Sequence, residues 1–221
     1  MSRREESKQL KREKIIATAK EIIAKEGLDK LTMRYLADKA EVSSRTPYNL
    51  FDSKTDILVA IVFEAAKELP AKPNTSGLMF VEQLIQLPKL LELFCAQQHD
   101  FYQDVLWGIM SSDDKHSRDQ AITAITGFVA PLVTQATQAK ECSDKLPVEV
   151  LTAHLVTQFL AILGMWGASQ LALEEASANI QFSWANTLLP YATRKSKSCL
   201  SQAQFDYGQA LEKTLAQSSR A

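Results

Sequence analysis

Residues 32–54, TMRYLADKAEVSSRTPYNLFDSK, have the spacing of a recognisable structural device and decide how the N-terminal part of this chain folds. In the first half of the stretch, Met33, Leu36 and Ala37 recur at helical spacing. Thr32 precedes them, and its hydroxyl can accept an otherwise unpaired backbone N–H as an N-cap. This half therefore predicts a short helix that ends in the turn before the second half.

The second half predicts another short helix, with Ser43 or Ser44 as its N-cap. Tyr48 and Phe51 are three residues apart and are expected to face the protein interior. The outward face of this helix then carries Arg45, Thr46 and Asn49. Two short helices joined by a tight turn form a helix-turn-helix, in which the second helix enters the major groove of DNA.

The pattern V-S-x-x-T-x-Y-x-x-F-x-S-K, preceded by T-x-R-x-L-A, resembles the DNA-binding region of the TetR family of transcriptional regulators. An apolar stripe predicts a first helix over about residues 9–26, ended by Gly27, and in the resemblance this helix completes a three-helix head. Two positions depart from the family pattern. Glu41 stands where Gly is usual, and Pro47 stands where an aliphatic residue is commoner. Pro47 fits a helix that starts at Ser44, because proline is tolerated in a first turn.

The resemblance also implies which side chains contact DNA. Arg34 is placed near the groove, where a guanidinium can bind guanine O6 and N7. The exposed face of the recognition helix is expected to consist of Ser44, Arg45, Thr46 and Asn49. Backbone phosphates are expected to be held by Thr32, Tyr48 and Lys54. Residues 1–8 are charged and are expected either to form a solvated tail or to lie along the DNA backbone. In the second case the contacts would come from this segment and the residues just after it, namely Arg3, Arg4, Lys8, Lys11 and Arg12.

The charge distribution agrees with a head that approaches phosphates. Residues 1–57 hold 13 Lys and Arg against 10 Asp and Glu, whereas the remaining residues hold 12 against 16. A basic head on an acidic body lets only the head approach a polyanion. The excess is modest, so the helix-turn-helix pattern is the stronger evidence.

Other motifs exclude several classes of protein. Cys95, Cys142 and Cys199 match no disulfide or zinc spacing, and the N-terminus lacks the apolar segment of a signal peptide, so a cytoplasmic protein is expected. The three histidines stand in no metal-binding spacing, and there is no nucleophile or phosphate-loop motif. The sequence therefore predicts no catalysis, no cofactor and no metal.

The whole chain is predicted to be all-α. It is expected to consist of a DNA-binding domain over residues 1–57 and a ligand-binding and dimerisation domain over residues 58–221. A lever helix begins near Lys54 and is followed by a break at residues 70–77. Pro88 is expected to interrupt the next helix, and Pro131 to kink a later one. The predicted body helices are residues 78–87, 89–98, 100–110, 118–139, 150–173, 178–189 and, after a linker at 194–198, 200–217.

Residues 150–173 contain no charged side chain, which leaves a membrane span or a helix buried on all sides. Their polar residues and the lack of flanking Lys or Arg favour the buried helix and no membrane. Residues 178–189 are likewise uncharged. Two consecutive helices with apolar residues on more than one face predict a partner subunit, and hence a four-helix contact in a homodimer.

A helical body of this kind is expected to enclose an apolar pocket with few polar anchors. The candidate lining favours a small apolar or aromatic effector and consists of Tyr102, Trp107, Met110, Phe128, His154, Gln158 and Met165. The resulting hypothesis is a ligand-responsive, homodimeric repressor that binds a palindromic double-stranded DNA operator. The alternatives are a small-molecule or lipid carrier with a vestigial head, and an architectural DNA-binding protein without an effector.

Overall fold

The computed structural model describes residues 3–68 and 77–218, and these residues form helices joined by short turns and loops, without a β-strand. The predicted all-α class is confirmed. The predicted break at residues 70–77 lies, except for Gly77, outside the described residues. The α-helices are α1 (Arg3–Glu26), α2 (Met33–Lys39), α3 (Arg45–Leu50), α4 (Lys54–Glu68), α5 (Phe80–Cys95), α6 (His99–Met110), α7 (Lys115–Gln138), α8 (Val148–Gly167), α9 (Leu173–Leu188) and α10 (Lys197–Ser218).

The described residues divide into two units. The first contains α1 to α4, α6 from Asp100 onward and the start of α7 as far as Ala121. The second contains α5, the remainder of α7 and α8 to α10. The predicted domain boundary after residue 57 stays a prediction.

The core of the first unit is apolar and is built from four of its helices together with Phe51, which follows α3. The inward stripe of α1 is buried from Ile15 onward, and Gly27 follows the helix with a φ of 86°. Gly27 donates its N–H to the carbonyl of Ile23 at 3.0 Å, as expected for the residue that ends α1. The same core contains Ile57, Leu58 and Ile61 of α4, Val105 and Ile109 of α6, Leu36 of α2 and Phe51 after α3.

The core of the second unit is centred on α8 and α9. Trp166 and Trp184 are among the largest fully buried side chains, and the indole N–H of Trp184 donates to the Leu155 carbonyl at 2.9 Å. Gln181 of α9 donates to the Ile85 carbonyl of α5 at 2.9 Å. These buried hydrogen bonds fix α9 against α8 and α5, because leaving such groups unpaired would cost about 1–3 kcal/mol each.

The linker before α10 is anchored by Glu141, whose side chain is almost fully buried. Its carboxylate accepts the N–H of Val81 in the first turn of α5 at 3.2 Å and lies 3.3 Å from Lys195 Nζ. Its backbone carbonyl accepts hydrogen bonds from Thr193 and Ser196. The predicted linker is therefore an ordered part of the second unit, and α10 packs along α9 of its own chain.

Several predicted helix boundaries are wrong. Helix α8 ends at Gly167 instead of near residue 173, and α9 begins at Leu173 instead of near residue 178. Helix α5 continues through Pro88, which is itself buried. A proline inside a helix removes a backbone hydrogen bond and costs about 3 kcal/mol, so the burial of Val81, Leu84 and Ile85 in the same helix must outweigh that cost. Helix α1 begins at Arg3 instead of near residue 9, although its first residues have no apolar stripe.

Helix α8 has the length and composition of a membrane span, with a mean hydropathy of 1.6. Nine of its residues are nevertheless buried within the second unit, where α9 packs beside it. A core helix of a soluble protein passes the same test of length and composition. Helix α8 therefore packs on α9 through one face within the second unit.

Candidate DNA-binding interface

Helices α2 and α3 are joined by a turn that follows the Schellman motif. The N–H of Val42 donates to the Ala37 carbonyl at 3.0 Å, and the N–H of Glu41 donates to the Asp38 carbonyl at 3.2 Å. This motif places Glu41 in the left-handed region, with a φ of 51°. At the other end of α2, Thr32 is the N-cap, because its Oγ1 accepts the N–H of Tyr35 at 3.2 Å.

The inward face of α3 differs from the prediction. Pro47 and Phe51 are buried and Leu50 is half-buried, so the apolar stripe lies at positions i, i+3 and i+4. Tyr48 is 59% exposed, and the prediction that it faces inward is wrong. Since each residue turns a helix by about 100°, a stripe that begins at Pro47 leaves Tyr48 on the outer side.

The start of α3 agrees with the position of its proline. Arg45 is the first helical residue, so Pro47 lies in the first turn, where no intrahelical N–H is lost. Ser44 occupies the N-cap position without a capping hydrogen bond from its side chain. Ser43 instead pairs with Thr46 through their hydroxyl groups at 2.8 Å, and its carbonyl accepts the Thr46 N–H.

The outer face of α3 carries most of the predicted DNA contacts. The exposed residues there are Ser44, Arg45, Tyr48 and Asn49. Thr46 is half-buried, and its hydroxyl pairs with that of Ser43. On α2, Arg34 is exposed, as is the N-cap residue Thr32. The structure thus brings the base-reading candidates of α3 together on one exposed face. Their roles in DNA binding stay predictions.

Two cations fix the elements around α3. The guanidinium of Arg12 donates to the Leu50 carbonyl at 2.9 Å and lies 4.2 Å from the ring centroid of Phe51. It therefore caps the negative, C-terminal end of α3. Lys54, at the start of α4, donates to the Leu28 carbonyl at 2.8 Å. Burial lowers the pKa of Lys54, and the nearby carboxylate of Asp29 opposes that shift.

Sequence reasoning missed the residues that hold the start of α4. Ser53 donates to Oδ2 of Asp114 at 2.7 Å, and the hydroxyl of Thr55 lies 2.8 Å from that of Ser112. Asp114 is half-buried and also accepts the backbone N–H of His116. A link across 61 residues leaves no local pattern, so the sequence could not indicate it.

The predicted effector-pocket residues are distributed over both units. Tyr102, Trp107 and Met110 lie on α6, and Tyr102 packs edge-to-face on Phe101 at 5.1 Å between ring centroids. In the second unit, Nε2 of Gln158 lies 3.3 Å from Nε2 of His154. The pocket lining stays a prediction. Three of its apolar members are exposed by more than 40%, namely Trp107, Phe128 and Met165.

The cysteines do not have the properties of reactive thiols. Burial raises the pKa of Cys95 to about 12 and that of Cys142 to about 11, where the Glu141 carboxylate adds to the shift. Burial and the carboxylates of Glu82 and Glu141 raise the pKa of Cys199 to about 11. A thiol is nucleophilic only as the thiolate, which is scarce at neutral pH under these conditions. Within residues 3–68 and 77–218, no cluster of His, Cys, Asp and Glu could hold a metal.

Comparison with known proteins identifies the N-terminal part of the chain. The family model of bacterial regulatory proteins of the TetR family matches residues 15–61, which include α2, α3 and the start of α4. No curated protein sequence matches the chain.

Known structures match the fold over most of the chain. FadR of Thermus thermophilus, a TetR-family repressor in complex with lauroyl-CoA, aligns with a TM-score of 0.66 at 18% identity, over 83% of this chain and 96% of its own. TylP of Streptomyces fradiae aligns with a TM-score of 0.61 at 14% identity, over 92% and 98%. The fatty acid degradation regulator FadR of Bacillus halodurans aligns with a TM-score of 0.53 at 15% identity, over 77% and 92%. Residues 15–61 therefore form a DNA-binding domain of the TetR-family type, and the fold of the chain is similar to that of TetR-family regulators.

Proposed function

We propose that this protein is a homodimeric, ligand-responsive repressor that acts in the cytoplasm on a palindromic DNA operator. The observation that supports this most directly is the exposed face of α3, where Arg45 and Asn49 stand free of the core above the buried Pro47 and Phe51. A short helix whose inner face packs on the core, and whose solvent-exposed face carries long polar side chains, has the geometry needed to enter a major groove.

The residues of this face divide into base-reading and phosphate-binding groups. Arg45 and Arg34 can bind guanine O6 and N7, and Asn49 can bind adenine N6 and N7. Ser44 and Thr46 complete the recognition face, while the hydroxyls of Thr32 and Tyr48 are suited to phosphate. Lys54 donates one of its three ammonium N–H groups to the Leu28 carbonyl, so two remain that can donate to a phosphate.

A homodimer would present two copies of α3 about 34 Å apart, or a multiple of that distance, and so would require a palindromic operator. The supporting feature is the outer side of α8. Val150, His154, Thr157, Ala161 and Met165 follow one another at spacings of three or four residues and are all exposed. An exposed, uncharged stripe along most of α8 is the kind of surface that a second copy of the chain would bury.

The effector is proposed to be a small molecule with a large apolar or aromatic part. Among the side chains predicted to line the pocket, Tyr102, Trp107 and Met110 of α6 favour this chemistry over a sugar or nucleotide. Because the similar FadR of Thermus thermophilus binds lauroyl-CoA, acyl-CoAs are the first class to test. A coupling of about 1–3 kcal/mol, transmitted through α4 directly after α3, would weaken operator binding roughly 5–150-fold.

The test is a selection of random duplexes by the purified protein at near-physiological salt, repeated with Arg45→Ala. We expect a palindromic consensus, with Arg45→Ala losing preference at two symmetric positions at about 1–3 kcal/mol each. Arg194→Ala, which removes an exposed arginine from the second unit, is the matched control and should select the wild-type consensus.

A second arm adds lauroyl-CoA to the selected duplex complex, with free CoA as its control. Release by lauroyl-CoA alone supports the proposed effector class, and release by neither compound argues against it. If no consensus emerges and only weak, salt-sensitive binding remains, the repressor proposal fails and the carrier hypothesis takes its place.

A further inference from the structure

The first turns of α1 lie outside the core of the first unit. The helix begins at Arg3, but its first buried residue is Ile15. Residues 4–11 are all exposed, and the match to the TetR-family domain also begins at residue 15. We call residues 3–11 the N-terminal extension of α1. Neither the core nor the matched domain accounts for it.

One face of α1 changes from apolar to basic at the point where the extension begins. Residues of this face recur at spacings of three or four and therefore lie on one side of the helix. From Ile15 onward this face is buried in the core, whereas before Ile15 it is exposed. The residues along it are Arg4, Lys8, Lys11, Ile15, Ala19 and Ile22.

The acidic side chains of the extension lie off the centre of this basic face. At about 100° per residue, Glu6 projects from roughly the opposite side of the helix, as does Glu13 just after the extension, and Glu5 lies at the flank, about 85° from the centre of the face. Glu13 is engaged there by Gln9, whose side-chain amide donates to it at 2.8 Å. The positive charge of Arg4, Lys8 and Lys11 is therefore concentrated on the side of α1 that faces the core further along the helix.

The position of Arg12 places this basic face beside the recognition helix. Arg12 binds the Leu50 carbonyl at the C-terminal end of α3, so α1 crosses that end of the helix. Lys14 lies 4.0 Å from Glu41 in the turn before α3. With a rise of 1.5 Å per residue, Lys8 and Arg4 lie about 6 Å and about 12 Å beyond Arg12 along the axis of α1.

We infer that the N-terminal extension is a second DNA-binding surface, which contacts backbone phosphates beside the recognition helix through Arg4, Lys8 and Lys11. This inference rests on the proposed binding of α3 to DNA. Lysines on a regular helix face act as point charges that release counterions from the duplex, and they read no sequence. The extension therefore contributes affinity and salt dependence but leaves the operator sequence unchanged.

The test compares Lys8→Gln/Lys11→Gln with the wild type on a duplex carrying the selected consensus. Its matched control is Lys145→Gln/Lys213→Gln, which removes the same charge from exposed positions of the second unit. A dimer that carries both substitutions loses four lysines, so we expect the slope of log Kd against log salt to fall by about 4 and binding to weaken about fivefold to tenfold per lysine at 0.1 M salt. Its selected consensus should equal that of the wild type.

The conservative variant Lys8→Arg/Lys11→Arg should restore the salt slope, and equal unfolding temperatures of all variants would exclude misfolding. Equal salt slopes for the Lys8/Lys11 variant, the control and the wild type on the same duplex would overturn the inference while leaving α3 as the DNA reader. A changed consensus would contradict the phosphate role. Absence of any consensus for the wild type would reject the proposed function itself, and the extension with it.

Discussion

Glu41 occupies a backbone conformation that glycine adopts most easily. A left-handed conformation costs a residue with a Cβ atom roughly 1–2 kcal/mol, and the two hydrogen bonds of the Schellman motif hold Glu41 in it. Its ion pair with Lys14 compensates little, because both side chains are largely exposed. Two other residues with a Cβ atom also adopt a positive φ after a helix: Lys140 after α7 and Ser169 after α8, both with a φ of 56°.

We expect Glu41→Gly to raise the free energy of unfolding by about 1 kcal/mol, because glycine relieves the strain at a positive φ. Chemical denaturation of the purified protein measures this change. Glu41→Ala is the control, since it removes the charge and keeps the strain. An equal gain from both variants would show that charge, and not backbone conformation, limits stability at this turn.

The separate helices show what a local pattern can and cannot predict. The N-cap Thr32, Gly27 after α1 and the spacing of α2 are local signals, and the structure agrees with each of them. The inward Tyr48 and the break at Pro88 were wrong because tertiary packing decides which face of α3 is buried and whether α5 tolerates a proline. The bond between Ser53 and Asp114 depends on residues that are distant in sequence.

At α6, a glycine allows close packing that the sequence did not indicate. A Cβ atom on Gly108 would lie 2.6 Å from Cδ1 of Leu58 and 2.9 Å from Cδ2 of Leu28. Gly127 of α7 is also helical, but nothing lies within 4 Å of a Cβ atom there. The two glycines therefore separate the effect of packing from that of helix propensity.

We expect Gly108→Ala to lower the free energy of unfolding by about 1–3 kcal/mol, because both leucines must move within the core. Gly127→Ala should instead raise it by up to about 1 kcal/mol through helix propensity alone. Thermal and denaturant unfolding of both variants measure the difference. A stabilising Gly108→Ala would mean that α6 does not pack closely on Leu58.

At the scale of the whole molecule, the proposed function requires assembly into a dimer. Val150 and Met165 lie at the two ends of the exposed stripe of α8 and are 52% and 41% exposed. Residues on the outer side of α9 are, by contrast, engaged by α10: Asn186 accepts a hydrogen bond from Gln204 at 2.6 Å. Of the two helices predicted to form the dimer, α8 therefore has the more accessible face.

We expect Val150→Lys/Met165→Lys to weaken dimerisation by about 2 kcal/mol or more per lysine, or roughly thirtyfold each, because the charges would lose water in the interface. Sedimentation velocity over a range of concentrations measures the change. Leu93→Lys, at an exposed apolar position of α5, is the control and should remain dimeric. A dimer that survives the double substitution would place the interface elsewhere.

The core shared by α1, α4 and α6 also governs how this protein is made. A ribosome releases the chain from its N-terminus, so Ile15 and Leu58 emerge well before Val105 and Ile109, which complete the same core. Until about half of the chain has been translated, the side chains that pack against α6, such as Leu28 and Leu58, remain open to water. Each newly made molecule should therefore gain a firm DNA-reading surface only after α6 has left the ribosome.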